Sequence, residues 1–153
     1  MGLAVHITIK GDKETLARIK KLGTSMKELK PAMDKVGEYA TGYYASIGIL
    51  DKGRPYNAQW PDYSTAYKKW KEIHYPGRPM MVQTGTLSDS FKHEATKNSV
   101  RIYNTAPYFK YHQSDEPHIK IPRRQMMGIN GTIKRVVREA IRAEIKNKID
   151  GVL

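Results

Sequence analysis

From residue 51 to residue 83 the chain has almost no aliphatic periodicity, and this absence constrains its fold more than any motif does. The stretch DKGRPYNAQWPDY, residues 51–63, reads as loop because Gly53, Pro55 and Pro61 punctuate it. Ser64 can cap a short amphipathic helix in which Tyr67 and Trp70 stand three apart. The run from His74 to Pro79 then breaks the chain again. The 51–83 excursion therefore carries little core material of its own, so the core has to come from the segments on either side. Long irregular excursions of this kind are usually functional or disordered.

The flanking segments supply the missing periodicity. Val5, Ile7 and Ile9 alternate with His6, Thr8 and Lys10, the pattern of a half-buried strand over 4–10. Leu16, Ile19 and Leu22 recur at helical spacing, and Gly23 is placed to end that helix. Ser25 and Glu28 form a capping-box pattern that predicts a second helix from Met26. Its apolar stripe is Leu29, Met33, Val36, Ala40, Tyr43 and Ile47, and Pro31 marks either a kink or the true first turn. Residues 99–103 alternate as a strand and pair with 90–96 across Lys97-Asn98. Residues 114–128 read as an extended arm. Asn130 or Thr132 caps a last helix over 130–150, with Ile133, Val136, Val137, Ala140, Ile141, Ile145 and Ile149 on its apolar face and Gly151 ending it.

Strands and helices segregate in this order, with few βαβ units, which predicts an α+β fold in one structural domain over 1–153. A sheet of about three antiparallel strands needs long amphipathic helices against one face. The strand at 4–10, the Leu29–Ile47 stripe and the Ile133–Ile149 stripe are expected to share one core.

Catalytic chemistry finds little support. With no cysteine, thiolate ligands, thiol nucleophiles and disulfides are excluded. None of the five histidines forms an HExxH pair. His112 and His118 share a polar segment with Asp115 and Glu116, a composition that suits a solvated loop better than a metal site. Ser88-Asp89-Ser90 lacks the glycines of a nucleophile elbow and reads as a helix start. Gly128-Ile129-Asn130-Gly131 lacks both the preceding strand and the following lysine of a phosphate loop, so it reads as a turn into the last helix. The expectation is a protein that is not an enzyme, with no cofactor and no metal. The N-terminus shows neither a signal-peptide pattern nor the hydroxyl residue that myristoylation requires, and no apolar run is long enough to span a bilayer. A cytosol-like compartment and no membrane partner are expected.

Two features point to binding instead. Ten tyrosines and two tryptophans accompany only two phenylalanines, and Tyr56, Trp60, Tyr63, Tyr67, Trp70 and Tyr75 crowd the excursion. Amphipathic aromatics with arginine are what protein interfaces prefer, so Trp60, Tyr67, Trp70, Arg123 and Arg124 are candidate subunit contacts. The formal net charge is +12, which favours an acidic partner. Arg135, Arg138 and Arg142 share a helix face opposite the isoleucines and are candidates to face DNA or a lumen. No helix-turn-helix, zinc finger or RNP-type aromatic motif accompanies them, so sequence-specific DNA reading is not expected.

The order of several short motifs resembles the phage virion morphogenesis family, which includes Mu-like virion proteins and tail completion proteins of contractile-tailed phages. Trp60 precedes Ser64, Thr65, Tyr67 and Lys68; Thr84, Gly85, Leu87 and Ser90 follow. After the 100–103 strand come Ala106-Pro107-Tyr108 and His112-Gln113, then Pro122, Arg124 and Gly128. The chain departs from the pattern at Asn57 and Ser114, where the family often has glycine. The resemblance implies a small α+β subunit of a homo-oligomeric ring, commonly sixfold, at the tail end or neck of a virion. Such a subunit assembles in the host cytoplasm, helps join the tail to the DNA-filled head and meets other neck, connector and tail proteins. A closed ring needs two different patches that meet between copies, and the excursion is placed to supply one. The alternative is a basic, non-sequence-specific nucleic-acid-binding module. A small hydrolase using Ser88, His93 and His112 is a distant third reading.

Overall fold

The computed structural model describes residues 13–114 and 120–152. Helix α1 runs over Lys13–Ser25 and α2 over Lys30–Tyr43. A π-helical turn, Tyr44–Gly48, prolongs α2. After a single 3₁₀ turn at Arg54–Tyr56 come α3, Thr65–His74, and the short α4, Thr86–Asp89. The strands β1, Phe91–Ala95, and β2, Val100–Asn104, form an antiparallel hairpin in which His93 faces Ile102. Helix α5 spans Phe109–Gln113 and α6 spans Gly131–Asp150. The architecture is α+β: the two-stranded sheet lies against α2, and α6 packs on α2 as well. The strand expected at 4–10 lies outside the described residues.

The boundary between α1 and α2 differs from the sequence reading. Ser25 ends α1, and its hydroxyl donates to the Leu22 carbonyl instead of capping a following helix. Gly23 lies inside α1. The second helix starts at Lys30, where Pro31 fits the first turn because no intrahelical partner is needed there for its missing N–H. The Leu29 N–H donates instead to the Lys97 carbonyl at 2.7 Å, which ties the start of α2 to the hairpin turn.

The apolar stripe of α2 also changes phase. Ala32, Met33, Val36 and Ala40 are buried as their spacing predicts, but Tyr44 and Ile49 then occupy the positions expected of Tyr43 and Ile47. The wider π turn inserts one residue, and a strict 3.6-residue period does not anticipate such an insertion. Ile47 is left exposed, while Gly48 comes so close to the Met126 carbonyl that a Cβ there would overlap it.

The Asn130 side chain caps α6 by accepting from the Ile133 N–H at 3.0 Å. Ile133 is fully packed, whereas Val136, Val137, Ala140, Ile141 and Ile145 are half-buried among the described residues. The core gathers Ala40, Tyr44, Ile49, Trp60, Leu87, Phe91, Ala106, Met126 and Ile133, with Tyr56, Met80, Met81 and Val82 packed against it. The excursion is therefore not the core-poor arm expected of it: its aromatics and methionines replace the aliphatics that it lacks.

Two glycines inside α2 give predictions of opposite sign. A Cβ on Gly37 would fall within the His93 ring, whereas Gly42 has open space around it. Gly42→Ala is expected to raise stability by about 0.5–1 kcal/mol, the ordinary helix-propensity gain. Gly37→Ala is expected to lower it by about 1–3 kcal/mol through overpacking of β1 against α2. Thermal unfolding of the two variants beside the parent chain checks the pair.

Candidate functional site

Residues 120–129 cross the molecule without joining a helix or the sheet. Their backbone polar groups need partners nonetheless, and side chains supply them. Gln113 does most of this. Its Oε1 accepts from the N–H groups of Met126 and Met127 at 2.9 and 3.2 Å, and its Nε2 donates to the Met127 carbonyl at 2.8 Å. On the other side, Trp60 Nε1 donates to the Gln125 carbonyl, Tyr56 to that of Met126 and Tyr44 to that of Gly128. Burial pushes the Tyr44 and Tyr56 phenols above their ordinary range, so both remain donors throughout the neutral range. Gly128 sits close to the strap's partners: a Cβ there would displace the Gln125 side chain and crowd the Tyr56 ring.

Arg124 locks the N-terminal part of this strap. It is buried, with 4% of its surface exposed. Its N–H donates to the His112 carbonyl at 2.7 Å, and its guanidinium donates to the Pro61 carbonyl at 3.0 Å and lies over the Tyr63 ring. The expectations that Trp60 and Arg124 meet a neighbouring subunit are thus corrected: both spend their donors inside the protomer and have almost no free surface. The arm that was expected to reach outward lies along its own chain over 120–128. Arg123 is exposed, with Nε directed at the Gln113 carbonyl.

The strap and the Tyr63 ring together hold α3. Tyr63 Oη accepts from the Met81 N–H at 2.7 Å, Tyr67 Oη accepts from Gln83 Nε2 at 2.6 Å, and Ser64 caps the helix through the Tyr67 N–H. Beneath the helix, Lys71 is buried and donates to the carbonyls of Arg78 and Pro79 at 2.6 and 3.0 Å, which closes the return loop on α3. The outer side carries a continuous row of rings. Tyr63, Tyr67, Trp70 and His74 follow with centroid separations of 4.8, 5.4 and 4.6 Å. Trp70 is 41% exposed and the adjoining Ile73 75%. Tyr67 and Trp70, named as candidate subunit contacts, both stand partly exposed on the surface of the protomer. Arg135, Arg138 and Arg142 are exposed on α6, where Arg135 pairs with Glu139 at 3.0 Å.

The other candidates separate. Ser88 donates to the Gly85 carbonyl in the turn that opens α4, and His93 packs on Gly37, so each serves the local packing of its own element. No cluster of three or more metal-ligating side chains occurs among the described residues, and Asp115, Glu116 and His118 lie outside them. Among the described residues, no helix is long and apolar enough to cross a membrane. Sequence reasoning quoted Gln113 as part of a motif but assigned it no role, and it missed Tyr44, Tyr56 and Lys71. Their partners are main-chain carbonyls and amides, which leave no residue-type signature.

Replacement of Gln113 by methionine keeps the volume and removes its side-chain hydrogen bonds to the strap. Gln113→Met is expected to cost about 2–4 kcal/mol, since the Met126 and Met127 amides lose their acceptor in a largely buried setting. Amide exchange at Met126 and Met127 is expected to accelerate more than exchange in β1.

The phage virion morphogenesis family model matches residues 10–146. No curated protein and no solved structure matches the chain. The match spans the motifs whose roles are now visible, with Trp60, Gln113, Arg124 and Gly128 building the strap and Thr84-Gly85-Leu87 turning into α4 against the core. The chain belongs to the phage virion morphogenesis family, and its role is structural, in the building of a phage virion.

Proposed function

We propose that this protein is a ring-forming subunit at the tail end or neck of the virion, where it completes the tail and helps join it to the head. The observation that carries the reading is the outer face of α3. Tyr67, Trp70 and Ile73 are exposed together on a helix whose own contacts are with its return loop. Large apolar side chains grouped on a surface mark interaction sites, and Trp and Tyr are the residues that anchor them. The chain positions this face through buried groups, Lys71 below and Arg124 at its base, so the surface is rigid before a partner arrives. In a closed ring the face would meet a different patch on the next copy, as heterologous contacts require.

The α6 arginine row supports a second reading, a basic module that contacts nucleic acid without sequence preference. Arg138 and Arg142 are exposed and stand one helical turn apart. In a ring, the same row could line a passage for DNA, where the attraction is to the phosphate backbone and falls with salt.

Mass photometry and electron microscopy of the purified protein test the first reading, and a ring several protomers in size is the expected result. The double variant Trp70→Ala/Ile73→Asp is expected to remain folded by circular dichroism and to sediment as a monomer, because both side chains are solvent-facing in the protomer. A double variant that assembles like the parent would exclude the α3 face as the contact. A parent chain that stays monomeric and binds DNA with a steep salt dependence would favour the second reading.

A further inference from the structure

A cleft of about 960 Å³ opens between the 52–60 loop and the inner side of α3 with its return loop. Tyr67, Trp70, Ile73 and the α6 arginines are not among its lining residues, and Tyr63, at the start of the ring row, borders it. Five basic side chains line it against two acidic ones. Lys68 is already paired with Asp62 at 3.0 Å. Lys52, Arg54 and Arg78 are exposed, and among the described residues none of them pairs with a carboxylate. Lys71 sits buried in the cleft wall, and burial, with the Arg78 charge second, lowers its ammonium below the ordinary lysine range. The protein therefore concentrates like charges in one concavity, where cations outnumber carboxylates five to two.

The loop that presents these charges is rigid. Lys52, Gly53 and Asn57 all take positive φ, at 51°, 84° and 54°. A Cβ on Gly53 would collide with the Ala58 carbonyl and the Trp60 ring. The Lys52 carbonyl accepts from the Trp60 N–H at 3.2 Å, and the Gly53 carbonyl accepts from the N–H groups of Tyr56 and Ala58. Trp60 itself is anchored in the core, so Lys52 and Arg54 project from a fixed base. A backbone fixed before binding spares the cost of ordering the loop when an anion arrives.

We infer that this cleft binds an acidic polypeptide segment of another virion protein, with Lys52, Arg54 and Arg78 pairing its carboxylates. The inference deepens the assembly reading and rests on it for the partner being a protein. Shape favours a peptide over duplex DNA: an extended chain advances about 3.3 Å per residue and fits a concavity, while a duplex is stiff over about 50 nm and cannot fold into one. Single-stranded nucleic acid would need free ring faces on which to stack; the cleft's tryptophan, Trp60, is buried with its edge bonded to Gln125, and its two tyrosines, Tyr63 and Tyr75, are half-buried with Arg124 and Trp70 against their rings. Arginine adds direction, since its planar fork pairs a carboxylate through two parallel bonds.

The test uses the full chain and a fluorescein-labelled peptide of alternating Glu and Gly, read by fluorescence anisotropy at physiological salt. A short DNA duplex and a short single strand serve as competitors. The cleft variant is Lys52→Gln/Arg54→Gln/Arg78→Gln, and the control of equal charge change is Arg135→Gln/Arg138→Gln/Arg142→Gln. The cleft variant is expected to bind the peptide at least about tenfold more weakly, and the control within about twofold of the parent. Equal losses in both variants would show a response to bulk charge and overturn the inference, as would a parent chain that does not bind the peptide. Stronger, cleft-dependent binding of either DNA would reassign the cleft to nucleic acid. Should the triple variant lose its helical circular dichroism, Lys52→Gln and Arg78→Gln singly carry the same comparison. Mass photometry of the cleft variant separates this proposal from the ring. Assembly like that of the parent is expected, a cleft variant unable to assemble would make the cleft a self-contact and overturn the inference, and a monomeric parent would sink the ring while leaving the peptide result to stand.

Discussion

The fold depends on how the backbone of residues 124–128 is satisfied. In most α+β proteins a segment crossing the core at this depth would be a strand, and a sheet would pair its amides and carbonyls. Here, among the described residues, the sheet has two strands and the segment joins neither. An unpaired buried peptide group costs about 1–3 kcal/mol, so a strap of this kind survives only if side chains replace the ladder. Gln113, Trp60, Tyr56 and Tyr44 do so, each with a polar tip on an apolar or aromatic body. One side chain thus fills core volume and completes a main-chain bond at once. The shortage of phenylalanine beside ten tyrosines follows from this arrangement, because phenylalanine could supply only the volume.

The same constraint explains which parts of the fold were legible in the sequence. Elements whose burial follows a fixed period read correctly: the hairpin about Lys97-Asn98, the first half of α2, α3 with its Ser64 cap, and α6 with its Asn130 cap. Asn57 stands where the family often has glycine, and its φ of 54° places it in the left-handed region that asparagine enters more readily than most residues. The reading failed where a long-range contact overrode the local pattern. The π turn is stabilised by what it delivers, Tyr44 to Gly128 and Ile49 to the core, and neither partner is near in sequence. The Ser25/Glu28 pattern lost to the tertiary bond between Leu29 and Lys97.

The candidate site divides along the same line. Tyr67 and Trp70, two of the aromatics expected at a subunit contact, stand partly exposed on α3. Trp60 and Arg124 were misplaced by composition. An aromatic or an arginine in an irregular segment suggests an interface on statistical grounds, but both were needed inside, where main-chain carbonyls had to be met. Arginine can serve there because its donors form a planar fork and its charge is weakly hydrated for its size. Arg124 finds carbonyls and the Tyr63 face, so its charge is held by dipoles and a ring instead of a carboxylate.

Charge then limits how such subunits can assemble. Each chain carries a formal +12, and copies brought side by side repel over a Debye length of about 8 Å at physiological salt. Contacts between copies are therefore best made by surfaces low in charge, and the Tyr67, Trp70 and Ile73 group is such a surface. The basic clusters are best turned toward something else, because a ring that collects unneutralised cations grows less stable with each added subunit. Within one protomer the two kinds of surface lie on different sides of α3, aromatic outside and cationic toward the cleft. A short helix held from below by one buried lysine can in this way separate the face proposed to meet like subunits from the face proposed to meet an acidic partner.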